Sequence, residues 1–349
     1  MKWFKLAIED RRIILQQASA LSRINEKALE KDLWVTMVLE AVFKTKFATH
    51  LHFKGGTSLS KAWQIIERFS EDIDLSIDRS FYGFGEDLSY SQIKKLKRIS
   101  SEFVSSDFRE ELDKTLVEMG VPASLFTCRA TPIPETRKDT VDPQEIVIEY
   151  VSILDNVEYL PDTIKVEVSA RSIKEGTQMR PLTSLVGSLL PQLELGDPFQ
   201  IRSIEPTITL LEKVFLLHEE FTKNASEIRH LRMSRHLYDL LLLSESIYAD
   251  IALSDTPLYN RIIAHRQHYI RQTGIDYKNH GKQSISFLPP NPILERYEED
   301  YEKMKLNMIY GNVPAFEDLI QKLRVLQDKF RITTNSPSST PSDSPRILL

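Results

Sequence analysis

The sequence of 349 residues has one cysteine, Cys128, and no long run of apolar side chains. A single cysteine cannot form an internal disulfide and has no nearby partner for a zinc site, which excludes disulfide scaffolds and cysteine-based zinc modules. No stretch approaches the roughly 20 apolar residues that cross a bilayer. The N-terminal segment MKWFKLAIEDRRIILQQ mixes charged with apolar residues and lacks the apolar run of a signal peptide. We therefore expect a cytoplasmic protein without a membrane segment.

The sequence also lacks an excess of positive charge. It has 45 Lys and Arg residues against 50 Asp and Glu residues, a formal net charge of −5. This balance argues against a surface that binds nucleic acid everywhere, so any nucleic-acid partner has to be held by local basic patches. With 41% hydrophobic and 27% charged residues, the composition is typical of a soluble protein with room for two domains.

The periodicity of the chain predicts an α+β fold. Helical spacing begins around Glu26 and returns over residues 91–119, and the segment DIDLSID alternates as a half-buried strand does. EIVIEYVSIL and DTIKVEVSARS predict a β-hairpin, and the pattern becomes helical after about Pro206. We predict three regions: a mixed α/β domain with N-terminal helices (1–200), a helical domain that completes the active site (201–332) and a disordered tail (333–349).

The stretch FKGGTSLSKAWQIIERFSEDID places a Gly-Gly turn one short helix before two aspartates. Asp72 and Asp74 lie two apart on a strand, so their carboxylates point to one side and can share hard cations that also hold a triphosphate. Gly55 and Gly56 allow the backbone to approach phosphate oxygens, and the Thr57-Ser58 pair adds hydroxyls at the helix start. The combination predicts a metal-and-phosphate site.

Each part of this pattern has an ordinary alternative. A lone Asp-x-Asp on a strand edge is usually solvated surface, and a lone Gly-Gly is usually a turn. GGTSLSK lacks the second glycine of the G-x-x-x-x-G-K-[ST] phosphate loop, and the acidic strand lacks the glycine and distant glutamate of a calcium loop. A nucleotide-sugar transferase can use Asp-x-Asp, but it requires no Gly-Gly turn.

The stretch FKGGTSLSKAW…ERFSEDIDLSI resembles the DNA polymerase β-type nucleotidyltransferase superfamily and, more narrowly, the AbiEii/AbiGii toxin family of type IV toxin–antitoxin and phage-defence systems. EKDLWVTMVLEAVF, LLEKVFLLHE and SRHLYDLLLL resemble other motifs of that family, so the resemblance covers about residues 24–245, with weaker similarity in MIYGNVPAFEDLI. Fourteen residues separate the Gly56-Thr57 turn from Asp72, slightly more than the broad superfamily pattern tolerates. The resemblance implies a polymerase β-type core with a small mixed sheet and a helical C-terminal domain.

The resemblance also implies roles for particular residues. Asp72 and Asp74 correspond to the carboxylates that bind two magnesium ions, and Lys213 and Asp239 correspond to catalytic residues of the later motifs. The residues assigned to nucleotide binding are Gly55, Gly56, Thr57, Ser58 and Lys61. Characterised family members add nucleotides to the 3′ end of tRNA and so block translation, which implies a nucleoside triphosphate, tRNA and a cognate antitoxin as partners.

The local sequence supports Lys213 and Asp239 without deciding their roles. Lys213 lies among apolar helical neighbours, so its ammonium needs an anionic partner such as a triphosphate; the alternative is a lysine extending from a core helix to solvent. Asp239 precedes LLLL, so burial would leave its charge unpaired unless a cation meets it. The alternative there is a structural carboxylate paired with Arg235 one turn earlier.

Two further candidates come from positions near the acidic strand. Glu167, in IKVEVSA, shares a strand face with Lys165 and could supply a third metal ligand, although a surface Lys-x-Glu pair explains it equally well. Ser70 immediately precedes the acidic residues. A phosphate added to Ser70 would repel the nucleotide, which makes it a candidate regulatory position.

Basic residues are concentrated in two segments. Between Pro257 and Gly274 there is no acidic residue, and Arg261, Arg266 and Arg271 accumulate with histidines and tyrosines, a mixture that binds phosphate and stacks bases. The second segment contains Lys94, Lys95, Lys97 and Arg98, for which a solvated helix face is the favoured explanation.

The predicted function is therefore a nucleotidyltransferase toxin. It would transfer a nucleoside monophosphate from a nucleoside triphosphate to an acceptor hydroxyl and release pyrophosphate, with the 3′ end of tRNA as the expected acceptor. Two alternatives remain open at this stage. One is nucleotidylation of a protein or small molecule, and the other is a non-catalytic sensor of GTP or ATP.

Overall fold

The computed structural model describes residues 2–332, apart from residues 23, 138, 156, 158, 159 and 171–175. The predicted disordered tail, 333–349, lies outside these described residues. Of the helices within them, none is long and apolar enough to cross a membrane.

Helices lie near both ends of the described residues and cover both faces of a central sheet. Their bounds are α1 Ile8–Ser22, α2 Glu26–Lys44, α3 Gly55–Lys61, α4 Tyr90–Phe103, α5 Arg109–Glu118, α6 Leu185–Leu189, α7 Pro206–Phe221, α8 Ser234–Ser244, α9 Ile247–Ser254, α10 Thr256–His265, α11 Leu294–Asn307 and α12 Phe316–Ile332. A π-helical turn, Val104–Phe108, joins α4 to α5, and a second one, Arg266–Ile270, follows α10.

The described strands form one mixed sheet of seven, in the order β3-β4-β5-β2-β1-β7-β6. The bounds are β1 Leu51–Lys54, β2 Ile73–Ile77, β3 Phe126–Ala130, β4 Gln144–Tyr150, β5 Thr163–Ser169, β6 Thr177–Leu182 and β7 Phe199–Ile204. β2 pairs antiparallel with β1 and parallel with β5, so the acidic strand lies inside the sheet. Pro181 is accommodated because β6 is an edge strand, where a missing N–H need not break a ladder.

The two faces of β2 have different environments. Ile73, Leu75 and Ile77 are buried in a core that also contains the second half of α2 and the inward faces of α4 and α5. The alternate residues Asp72, Asp74 and Ser76 face the other way, toward the C-terminal helices. A second core joins α1, the start of α2 and helices α6 to α12.

The α+β prediction is confirmed, and the acidic strand, the β4–β5 hairpin and helix α2 form as expected. The sheet has more strands than the small sheet predicted. The prediction omitted β3, β6 and β7 because their sequence patterns did not mark them as strands. The predicted domain boundary at residue 200 falls within β7, Phe199–Ile204, so the last strand of the chain extends into the predicted helical region. The N-terminal helix α1 also packs with the C-terminal helices.

Candidate active site

The two glycines of the Gly-Gly turn directly follow β1, form the first residues of α3 and touch the acidic strand. Gly55 has φ +76°, a left-handed conformation that favours glycine, and a Cβ there would lie 1.9 Å from the Asp74 Oδ2 atom. A Cβ on Gly56 would lie 2.7 Å from Arg68 Nη2. The turn therefore has to be glycine at position 55 for the Asp74 carboxylate to stay where it is.

Three carboxylates share the sheet face beside this turn. Asp72 precedes β2, Asp74 lies on it, and Glu167 is the direct neighbour of Asp74 on the parallel strand β5. Side chains in register on adjacent strands point to the same side, so Glu167 and Asp74 face the same cleft. The structure thus brings the weaker sequence candidate, Glu167, to the two predicted metal ligands.

The protonation of these carboxylates reflects their crowding. Burial, opposed by Lys54 and reinforced by Asp72, raises the pKa of Asp74 to about 6. Burial together with repulsion from Asp74 and Asp72 raises the pKa of Glu167 to about 7. Within the described residues, no group of three His, Cys, Asp or Glu side chains is already arranged around one cation position. Magnesium does not need such a cage, because one or two carboxylates and the substrate phosphates commonly hold it.

Opposite the carboxylates, Asp239 of α8 pairs with two cationic side chains, Arg68 and Lys213. It is fully buried and accepts two hydrogen bonds from Arg68, at 2.7 and 2.8 Å, and its Oδ2 lies 2.8 Å from Lys213 Nζ. Although burial acts in the opposite direction, Arg68 and Lys213 hold the pKa of Asp239 well below its usual range. Burial lowers the pKa of Lys213, and Arg68 lowers it further. Asp239 therefore touches the cations rather than the cleft, which makes it a positioning residue.

Two consecutive residues of α8, Arg235 and His236, also line the cleft. Arg235 Nη1 lies 3.5 Å from Asp72 Oδ2. Asp239 pairs with Arg68 and Lys213 rather than with Arg235, which was the alternative partner expected from the sequence. His236 Nδ1 lies 3.4 Å from Lys213 Nζ. Burial and the nearby cations lower the pKa of His236 well below its usual range, so this imidazole is neutral.

Three predicted nucleotide-binding side chains point into the fold instead of the cleft. Thr57 Oγ1 donates to the Asp72 carbonyl and lies 2.9 Å from Ser70 Oγ, and Ser58 Oγ pairs with Ser203 Oγ at 2.7 Å. Lys61 forms a buried ion pair with Asp32 of α2. These contacts correct the expected roles: Thr57 positions the loop that carries Asp72, while Ser58 and Lys61 anchor α3 to β7 and α2.

The remaining candidates divide between buried and exposed positions. Arg266 is buried and donates to Glu219 at 2.7 and 2.5 Å, so its guanidinium is committed to the helical core, which corrects its predicted role as an RNA contact. Arg261 and Arg271 are exposed. Ser70 lines the cleft, 3.3 Å from where a Gly56 Cβ would lie.

The carboxylates, the two glycines, Lys213 and Arg235 line an active-site cleft of about 340 Å³ between the polar face of the sheet, helices α7 and α8, and the end of α10 with the π-helical turn after it. The lining residues that the sequence did not identify as site members include Lys54, Arg68, Glu212 and Arg235. Arg68 lies within the stretch that predicted the site, and Glu212 precedes Lys213. These residues reach the same cleft only in the folded structure, so no local sequence pattern identifies them. The arrangement can hold divalent cations on one wall and phosphate oxygens on the other.

The sequence model of the family described as "Nucleotidyl transferase AbiEii toxin, Type IV TA system" matches residues 38–322. The chain belongs to this AbiEii toxin family. It is therefore a nucleotidyltransferase of a type IV toxin–antitoxin family, and a nucleoside triphosphate and a cognate antitoxin are its implied partners. The family assignment agrees with the sequence resemblance.

Solved structures to which this chain is similar include JHP933 from Helicobacter pylori, with 14% identity, a TM-score of 0.45, and coverage of 88% of this chain and 93% of that chain. MenT4, a nucleotidyltransferase toxin from Mycobacterium tuberculosis, has 13% identity and a TM-score of 0.43, with coverage of 93% of this chain and 98% of that chain. A comparison with curated proteins finds no match.

Proposed function

We propose that this AbiEii-family nucleotidyltransferase uses magnesium to transfer a nucleoside monophosphate to the 3′ hydroxyl of an RNA, with tRNA as the acceptor. Modification of that end would prevent aminoacylation and stop translation, as expected of a toxin in phage defence. The observation that carries the proposal is the placement of Asp72, Asp74 and Glu167 on one sheet face, in contact with the Gly55 turn and opposite buried cations.

The residues on the carboxylate wall fit magnesium. They are hard oxygen donors, two of them at alternate positions of one strand, and burial and mutual repulsion raise the pKa of Asp74 and Glu167, which a divalent cation would relieve. Magnesium bound there would supply charge neutralisation of the phosphates and activation of the acceptor hydroxyl. Asp72 and Asp74 are the proposed ligands, and Glu167 lies beside Asp74 on the neighbouring strand.

The opposite wall suits the triphosphate. Lys213 and Arg235 line the cleft, and Asp239 fixes the position of Lys213 from behind. The Gly55-Gly56 turn leaves backbone open to a phosphate, because neither residue has a side chain in the way. These groups would stabilise charge on the departing pyrophosphate, and Asp72 and Asp74 would hold the magnesium that neutralises the phosphates.

Glu167, beside Asp74 on the neighbouring strand, would accept the proton of the attacking hydroxyl. Without metal, burial and repulsion from Asp74 and Asp72 raise the pKa of Glu167 to about 7. Bound magnesium would lower that pKa, so the carboxylate would be charged and able to take the proton. The new bond forms between the acceptor oxygen and the α-phosphorus. The bond from that phosphorus to the bridging oxygen breaks, and pyrophosphate would leave toward the Gly55-Gly56 turn, in the cleft that Lys213 and Arg235 also line.

The test follows labelled nucleotide into RNA. Wild-type protein, the double variant Asp72→Asn, Asp74→Asn and the control Asp328→Asn, an exposed acid on α12, are incubated with total tRNA, magnesium and each α-labelled nucleoside triphosphate in turn. Pyrophosphate release is measured in parallel. We expect labelled RNA from wild type and the control, and none from the double variant.

Other outcomes identify the alternatives. Pyrophosphate release with label on protein or a small molecule would replace the RNA acceptor and leave the transferase chemistry intact. Nucleotide binding with neither labelled product nor pyrophosphate would contradict the proposal and favour a sensor. Omission of magnesium should abolish transfer in wild type, and unchanged transfer in EDTA would reject the proposed metal.

A further inference from the structure

Two cavities outside the active-site cleft continue from it along one segment of the helical domain. The middle cavity, about 580 Å³, shares His265 with the cleft, and the outer cavity, about 620 Å³, shares Ala264 and His268 with the middle one. All three therefore follow the segment 264–272, which contains the π-helical turn Arg266–Ile270. π-helical turns occur frequently at functional sites.

The middle cavity begins where the carboxylates end. Asp72 and Asp74 line the cleft, and Ser76 and Asp78, the next positions on the same face of β2, line the middle cavity. The Gly55-Gly56 turn lies at the opposite end of this strand face, because β1 and β2 run antiparallel. In phosphoryl transfer the attacking and leaving oxygens are roughly in line. Pyrophosphate that leaves toward the turn thus requires an acceptor that approaches from the middle cavity.

The side chains of the middle cavity suit a nucleotide. The half-buried Phe84 provides ring surface, and the exposed Arg261 provides a cation at its border. Tyr269 also lines the cavity, but its ring is buried between Arg79 and His265. Asp78 and Glu86 also line it, and carboxylates can accept hydrogen bonds from ribose hydroxyls and base amino groups.

The outer cavity ends at an exposed aromatic ring between two cations. Tyr90, the first residue of α4, is 54% exposed; the Arg271 guanidinium lies 4.9 Å from its ring centroid and Lys94 Nζ lies 4.8 Å from it. Tyr90 and Arg271 both line the cavity. An exposed ring flanked by cations is the arrangement that stacks bases and binds the backbone of single-stranded nucleic acid.

We propose that the three cavities form one path for the single-stranded 3′ end of an RNA acceptor, with Tyr90 as a stacking platform upstream of the reacting nucleotide. The path joins the two basic segments that the sequence presented separately, because Arg271 and Lys94 meet at the same ring. This inference rests on the proposed function, since it assigns the acceptor of that reaction. It predicts a preference for an unpaired end over a duplex end.

The test measures binding of a fluorescein-labelled, eight-nucleotide single-stranded RNA with a free 3′ hydroxyl, by fluorescence anisotropy at low and moderate salt. Tyr90→Ala and Arg271→Gln should each weaken binding about ten-fold, the size expected for loss of one base stack. Tyr90→Phe keeps the ring and should bind close to wild type. Arg324→Gln, an exposed arginine on α12 that lines none of the three cavities, is the matched control.

Affinity for the nucleoside triphosphate, measured separately, reports whether each variant is folded. Equal RNA affinity in Tyr90→Ala, Arg271→Gln and the control, or no affinity of wild type for single-stranded RNA, would overturn the path. Equal binding of a blunt RNA duplex would also overturn it. Failure of label transfer to RNA, with RNA affinity still dependent on Tyr90, would instead count against the proposed function alone.

Discussion

At the scale of single residues, the active site concentrates negative charge where the fold gives it little compensation. Asp74 and Glu167 lie side by side on adjacent strands, and burial and repulsion raise the pKa of both. A carboxyl whose pKa is higher in the folded than in the unfolded state stabilises the fold at low pH and loses that contribution as pH rises. The site is therefore a local cost to stability at neutral pH.

Glu167→Gln tests this cost. Between its ordinary value of 4.5 and about 7, the folded state binds the Glu167 proton more tightly, so wild-type stability falls as pH rises through that window. Glutamine has the shape of the protonated acid and no charge. In EDTA we expect the variant to match wild type at pH 4.5 and to exceed it by about 1–2 kcal/mol at pH 8, after allowance for solvent screening. Denaturant unfolding at both pH values gives the comparison.

The same variant should lose transferase activity. Removal of a general base typically costs about 10²–10⁴-fold in rate. A stability gain at pH 8 without loss of rate would show that Glu167 crowds the site but does not act in the reaction. No stability gain would show that its carboxylate is already compensated by a cation in the folded protein.

At the scale of elements, the unit β1, turn, α3 and β2 could be predicted largely from sequence. Strict alternation in DIDLSID fixed which residues of β2 face the core, and Ile73, Leu75 and Ile77 are buried as expected. The same local pattern placed Glu167 on one face of its strand. It could not show that Glu167 lies opposite Asp74, because register between strands about 90 residues apart depends on tertiary packing.

The side chains of α3 mark the limit of local reasoning. Thr57, Ser58 and Lys61 have the chemistry to bind a phosphate, and their sequence positions beside Gly-Gly favoured that role. Helix α3 is only seven residues long, and these three side chains face into the fold. They bond to Ser70, Ser203 and Asp32 instead of to a phosphate. These partners lie far along the chain or on another element, and no local pattern identifies them.

The Gly-Gly turn gives a matched pair of variants at this scale. In Gly55→Ala the new Cβ would lie 1.9 Å from Asp74 Oδ2 in a left-handed backbone conformation, so the carboxylate has to move. In Gly56→Ala the new Cβ would meet the end of the Arg68 side chain at 2.7 Å, in a backbone without positive φ. We expect Gly55→Ala to lower kcat/KM about 100-fold, since small displacements of reacting groups cost that much, and Gly56→Ala to lower it less.

Steady-state kinetics with the magnesium–nucleotide complex, together with thermal unfolding of both variants, provides the measurement. Equal losses of activity in the two variants would contradict a specific contact between Gly55 and Asp74. A loss of folding in both would show that both glycines are needed for packing against Asp74 and Arg68, and would contradict a role of Gly55 confined to the reaction.

At the scale of the whole molecule, the active-site cleft lies where two hydrophobic cores meet, and a buried ionic cluster joins them. Arg68 precedes the acidic strand, whereas Asp239 and Lys213 belong to α8 and α7 of the helical part. Sequence alone placed Lys213 and Asp239 in the site through family resemblance. It did not identify Arg68, because its partner Asp239 is 171 positions away and the pairing exists only once the two parts pack together.

Asp239→Asn tests whether this cluster supports both stability and the reaction. The variant leaves Arg68 and Lys213 buried without their carboxylate, and breaking a buried ion pair in this way typically costs about 3–5 kcal/mol. Lys213 should also lose its fixed position in the cleft, so KM for the nucleotide should rise at temperatures well below unfolding. Asp328→Asn, on the exposed face of α12, should change neither quantity. If Asp239→Asn loses stability but keeps the wild-type KM and kcat, the cluster holds the two parts together without positioning Lys213. Binding of the triphosphate would then depend on Arg235 and the Gly-Gly turn.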